Sequence, residues 1–106
     1  MPARSRQVDR LVDRVKRAVR EIDRFIVAVE EMKRERHPEH RGWKGACSYC
    51  VRKLITIKNK IKYALELGDE EDRWEEAKHF MALWQRKARG GPRVHMEAFY
   101  AHHYVG

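Results

Sequence analysis

Apolar residues recur at alternating steps of three and four positions over long stretches of this 106-residue chain. Because an α-helix turns once in about 3.6 residues, this spacing places them on one helical face. No stretch shows the every-second-residue alternation that is typical of a strand. The sequence therefore predicts an all-α fold, a small helical bundle of three to five helices in a single domain over residues 1–106. The longest series consists of Val8, Leu11, Val15, Ala18, Ile22, Phe25, Val29 and Met32. A shorter series farther along the chain consists of Trp74, Ala77, Met81, Trp84 and Ala88.

Turn-forming residues interrupt the helical pattern at three places and divide the chain. Pro38 ends the first helix, because the residue before a proline is disfavoured in the α conformation. Gly68 ends the second, Asp69 or Asp72 caps the third, and the segment Gly90–Gly91–Pro92 ends it. Residues 37–45 are predicted to form a loop, and the predicted helices are residues 4–36, 46–67, 69–90 and 93–106. The fourth is expected to pack on the bundle through Val94, Phe99, Tyr100, Tyr104 and Val105.

The second predicted helix has one apolar and one basic face. The apolar positions are Cys47, Cys50, Val51, Leu54, Ile57, Ile61, Ala64 and Leu65. The opposite face carries Arg52, Thr56, Asn59 and Tyr63, flanked by Lys53 and Lys60 on one side and by Lys62 on the other. Cationic side chains beside a tyrosine suit a phosphate backbone with occasional base stacking. The alternative is a basic face that is simply solvated.

Positive charge is concentrated around this helix. The chain has a net charge of +8; residues 37–66 hold seven basic and two acidic residues, whereas residues 67–84 hold two basic and six acidic ones. This imbalance favours an anionic partner, and nucleic acid first. No apolar run approaches the roughly 18 residues of a membrane span, so we expect no membrane contact and a cytoplasmic protein. The predicted RNA-binding residues are Arg52, Lys53, Asn59, Lys60, Lys62, Tyr63, Arg86, Lys87 and Arg89.

Four residues have a spacing that suits a zinc site. His37, His40, Cys47 and Cys50 form the pattern His-x2-His-x6-Cys-x2-Cys, and four such ligands can surround zinc as a tetrahedron. However, both cysteines occupy apolar positions of the second helix, where free cysteine acts as a small hydrophobic residue. We therefore expect no metal and no other cofactor.

One pair of residues raises the question of catalysis. Arg73 and His79 have the Arg-x5-His spacing that is similar to the motif of helical HEPN ribonucleases, but Arg89 and His95 repeat it across the Gly-Gly-Pro segment, where no continuous helix could present it. No nucleophile elbow, phosphate-binding loop or dinucleotide fingerprint is present. We expect a protein that is not an enzyme, with a metal-independent ribonuclease as an alternative.

Three short segments resemble a known family. The segment Lys58–Ala64 (KNKIKYA), the aromatic tail Met96–Gly106 and the opening Ser5–Val8 resemble the small helical subunit of type III CRISPR effector complexes. The resemblance implies a non-catalytic subunit whose copies stack inside a guide-RNA ribonucleoprotein. Such a subunit would contact the guide–target backbone and neighbouring protein subunits. The HPEH segment and the Cys-x2-Cys pair do not belong to that family pattern. The alternative function is a small phage- or plasmid-type helical protein that binds and inhibits a host protein.

Overall fold

A computed structural model describes residues 6–35, 41–66 and 71–105, with only the backbone described at residues 7, 71–73, 104 and 105. These residues form α1 (Arg6–Arg34), α2 (Trp43–Glu66), α3 (Glu71–Ala88) and α4 (Gly91–Tyr100), which continues as a π-helical turn at Ala101–Val105. No strand occurs in the described ranges. The predicted all-α bundle is confirmed, but α2 begins at Trp43, three residues earlier than predicted, so residues 43–45 are helical and do not belong to the predicted loop. The predicted cap at Asp69 lies outside the described residues.

The helices pack into an elongated bundle of 60 × 23 × 21 Å with α2 at its centre. α2 contacts α1, α3 and α4. It runs antiparallel to α1, because Trp43 at its start lies against Met32 and Lys58 farther along lies against Asp23. The core consists mainly of the stripes predicted from the spacing. Its fully buried residues include Val15, Ile22, Val29, Leu54, Ile61 and Met96. The outermost members of the stripes are only partly buried, namely Val8, Leu65 and Ala88.

Aromatic residues fix the junction between α1, α2 and α4. The buried Trp43 indole Nε1 donates a hydrogen bond to the Met32 carbonyl oxygen over 2.9 Å. The Tyr100 hydroxyl donates to the Arg41 carbonyl oxygen over 2.5 Å, and the Trp43 and Tyr100 rings meet edge to face at 5.6 Å. The end of α4 therefore holds the start of α2 against α1.

Two glycines set the direction of α4. Gly90 and Gly91 have φ angles of 85° and 90°, a left-handed conformation that costs glycine little and other residues more. Pro92 follows in the first turn of α4, where its missing N–H leaves no helical bond unmade. The turn folds α4 back onto the bundle with Met96 and Tyr100 buried. Val94, which was predicted to pack, is instead 56% exposed.

Candidate nucleic-acid interface

The predicted basic face of α2 is exposed to solvent. Tyr63 is 40% exposed, and the buried residues of α2 all lie on the other side of the helix. We call this surface the α2 face, and it consists of Arg52, Lys53, Asn59, Lys60, Lys62 and Tyr63. α2 as a whole has one acidic residue, Glu66, against six basic ones. The spacing thus predicted the orientation of the face, and its contact with RNA stays a prediction.

Two lysines of α2 form ion pairs with neighbouring helices. Lys58 Nζ lies 2.9 Å from Asp23 Oδ1 on α1, and Lys60 Nζ lies 3.6 Å from Glu76 Oε1 on α3. The second pair is solvent-exposed, so it contributes at most about 1 kcal/mol and leaves Lys60 able to meet a phosphate. The members of the α2 face that form no ion pair with any described residue are Arg52, Lys53 and Lys62.

The second group of predicted RNA-binding residues lies at the end of α3. Arg86 and Arg89 are exposed and Lys87 is half-buried. Lys87 lines the same cavity as Lys53, so the structure brings these two cations together. Among the described residues, no hydrogen bond or ion pair joins Arg86 or Arg89 to α2.

The sequence did not predict this cavity, which lies between α2, the end of α3 and α4 and measures about 220 Å³. Cys50 and Leu54, both buried, line its inner side. We call it the α2–α4 cavity. Its remaining lining residues are Tyr49, Lys53, Lys87, His95, Phe99 and His103. One signal was available in the sequence, since His95, Phe99 and His103 follow one another at steps of four and share a helical face.

The aromatic rings of the cavity form a connected series. Phe99 is nearly parallel to Tyr49, at 22° and 5.6 Å between ring centroids. His103 lies 4.3 Å from Phe99 on one side, and His95 lies 6.4 Å from it on the other. Lys53 Nζ lies over the Tyr49 ring at 5.5 Å, a cation–π contact that holds the ammonium at the cavity.

Three titratable groups in and beside the cavity, those of His95, Cys50 and Cys47, favour their neutral forms. Burial, and then the charge of Lys87, lower the pKa of His95 below its usual value, so at pH 7 its imidazole has one donor and one acceptor. Burial, with the nearby Cys47 thiol, raises the pKa of Cys50 to about 11. Burial raises the pKa of Cys47 to about 11 as well. Both cysteines are therefore protonated thiols and poor nucleophiles at neutral pH.

The residues of the zinc alternative are only partly described. Cys47 and Cys50 are 0% and 3% exposed and belong to the core, as their apolar positions predicted. His37 and His40 lie outside the described residues. In residues 6–35, 41–66 and 71–105, no group of three or more His, Cys, Asp or Glu side chains could hold a metal ion.

The ribonuclease alternative rests on a pair that is also incomplete. His79 is exposed, and its ring meets that of Phe80 edge to face at 5.2 Å. The side chain of Arg73, which the motif needs beside it, lies outside the described part of the chain. The described structure therefore gives no catalytic geometry for this pair.

No protein-family model, curated protein or solved structure matches the chain. None of the helices in the described ranges has both the length and the apolar composition to cross a membrane.

Proposed function

We propose that this chain is a non-catalytic, RNA-binding structural subunit of a cytoplasmic, multi-protein ribonucleoprotein, and that it contacts the RNA backbone through the α2 face. The observation that supports this most is the exposure of Arg52, Lys53 and Lys62, without an ion pair to any described residue, on the central helix of the bundle. Their opposite side is anchored in the core, so the cations are held on a rigid support.

Backbone binding needs little more than such a surface. Lysine and arginine that neutralise phosphates release condensed counterions, and this gain does not depend on the base sequence. Phosphate contacts position a protein on RNA, whereas specificity requires contacts with base edges. The α2 face suits the first role, because its members are mostly flexible cations. We therefore propose binding without sequence readout.

The resemblance to the small subunit of type III CRISPR effector complexes supplies the proposed setting. In that setting, stacked copies of the chain would lie beside other protein subunits and contact the backbone of a guide–target RNA duplex. The elongated shape of 60 × 23 × 21 Å suits side-by-side stacking along a nucleic acid.

The test is a change of the α2 face that leaves the cavity and the core intact. The triple variant Arg52→Gln/Lys60→Gln/Lys62→Gln removes three exposed cations, and glutamine has nearly the helix propensity of lysine and arginine. We expect weaker binding for all RNA sequences alike. The slope of log affinity against log salt should flatten by about two to three units, because each phosphate contact contributes about 0.7 to 0.9. Titrations of single-stranded and duplex RNA at several salt concentrations measure it.

The matched control removes the same charge from another surface. Arg10, Arg17 and Arg24 are exposed, lie at steps of seven on the outer side of α1, and can be replaced together by glutamine. We expect this control to keep most of the affinity and the salt slope of the unmodified protein. Equal losses in both triple variants would indicate attraction by net charge alone. No loss in the α2 variant, with its helicity retained, would refute the proposal and favour the host-protein inhibitor.

A further inference from the structure

The α2–α4 cavity brings two cations together without an opposing carboxylate. Lys53 reaches it from α2 and Lys87 from the last turn of α3, and none of the lining residues is acidic. Lys87 also lies where a cation interacts favourably with a helix C-terminus. This interaction accounts for a lysine at that position, and the positive charge of Lys87 remains available to bind an anion. The cavity is therefore electrostatically complementary to an anion.

The wall of the cavity is aromatic and partly accessible. Tyr49 is 41% exposed, Phe99 is half-buried and His103 is exposed. Aromatic faces next to cationic groups are the combination with which proteins bind unpaired nucleotides, the base on the ring and the phosphate at the lysine. An inorganic anion would bind to the lysines, but the aromatic rings would add little to its binding free energy.

The size of the cavity limits what can enter it. About 220 Å³ lies below the roughly 300–1,000 Å³ of sites that enclose drug-sized ligands. One base could fit with its phosphate at the mouth, whereas a base pair could not. The half-buried, neutral His95 imidazole adds one donor and one acceptor for the edge of that base.

We propose that the α2–α4 cavity binds a single unpaired nucleotide, with its base against the exposed Tyr49 ring and its phosphate at Lys53 and Lys87. The inference rests on the proposed function for the source of that nucleotide, an RNA strand whose backbone lies along the α2 face. A free nucleoside monophosphate has the same chemistry, and the experiment distinguishes these two sources.

Calorimetric titration of the full chain with adenosine 5′-monophosphate (AMP), adenosine and inorganic phosphate tests the site. AMP should bind more tightly than either of its parts. Tyr49→Leu keeps an apolar side chain but removes the ring. It should weaken the binding of AMP and adenosine about 5- to 150-fold, and the binding of phosphate much less, because phosphate loses only the Lys53–Tyr49 contact that holds the ammonium in place.

A second variant tests the cations and keeps every aromatic ring of the cavity. Lys53→Gln/Lys87→Gln should weaken AMP and inorganic phosphate by about tenfold or more and leave adenosine unchanged. The matched control Lys16→Gln/Lys78→Gln removes two exposed lysines that do not line the cavity, and it should bind AMP as the unmodified protein does. Circular dichroism of each variant verifies folding.

Absence of AMP binding at millimolar concentrations would overturn the inference, as would AMP binding that neither the Tyr49 nor the lysine variant weakens. An oligoadenylate that binds more tightly than AMP and displaces it supports an RNA strand as the source. Failure of the oligoadenylate to displace AMP would refute the proposal that an RNA strand supplies the nucleotide. AMP has no RNA backbone, so its binding does not depend on the three cations that the α2-face variant removes. The cavity variants therefore test the nucleotide site, and the α2-face variant tests RNA-backbone binding, independently of each other.

Discussion

Replacement of Ile61 by alanine should destabilise the bundle far more than the same replacement of Ile55. Both isoleucines belong to α2, which contacts α1, α3 and α4. Ile61 is 0% exposed in the core, whereas Ile55 is 40% exposed. The pair therefore holds the residue type and the helix constant and changes only burial.

The expected magnitude follows from the atoms removed. An isoleucine-to-alanine change deletes one methylene and two methyl groups, each contributing about 0.8 kcal/mol when buried, or about 2.4 kcal/mol together. The cavity left at Ile61 raises the cost, and the better helix propensity of alanine offsets a few tenths of a kcal/mol. We expect Ile61→Ala to cost about 2–4 kcal/mol. Ile55→Ala should cost less than about 1 kcal/mol, because its side chain is already partly in water.

Urea unfolding followed by circular dichroism measures both variants, with ΔG compared at an unchanged m-value. A domain of this size is expected to unfold in one step, so a difference between the two variants reports burial. Costs under about half a kcal/mol at both positions, or a larger cost at Ile55, would mean that the buried face of α2 is assigned wrongly. The same result would remove the basis for the α2 face.

Three further expectations concern single side chains. Cys47 and Cys50 should react with a disulfide reagent only on unfolding, because they are buried thiols with pKa values near 11; rapid reaction of the native protein would contradict this. Stability should fall as the pH drops below about 6.5, because the pKa of His95 is lowered in the fold and the unfolded chain takes up the proton first; melting at several pH values should show a flatter dependence for His95→Gln. Trp43→Phe should cost about 1–2 kcal/mol in urea unfolding, because its indole donates to a backbone carbonyl of α1. Trp74→Phe should cost less, because the Trp74 indole has no hydrogen-bond partner among the described residues, and equal costs would count against the role of the Trp43 bond.

The sequence predicted the buried faces of α1, α2 and α3 because each helix is long enough to repeat its apolar spacing over several turns. Ile22, Ile61 and Met81 each fall on the predicted stripe and are buried. The exposed orientation of Arg52 follows from the same spacing, because it lies opposite that stripe. For these helices, local periodicity is enough to determine which side faces the core.

The short α4 could not be predicted in the same way. With ten residues it repeats its pattern too few times, and its rotation depends on the turn at Gly90 and Gly91. Met96 was therefore missed as a core residue, and Val94 was wrongly expected to pack. The α2–α4 cavity was missed for a related reason, since it requires the alignment of three helices that no local pattern encodes.

The bonds made by Trp43 and Tyr100 have a consequence for protein engineering. They attach Trp43 and Arg41, at the start of α2, to Met32 of α1 and to Tyr100 of α4, so contacts among the described residues position this end of α2. Insertion of extra residues between residues 36 and 40 leaves these two bonds in place, and closing a longer loop costs about 0.6 kcal/mol for each doubling of its length. A peptide tag or a fluorescent domain placed between residues 37 and 40 should leave the bundle folded, and would provide a labelled protein for binding measurements.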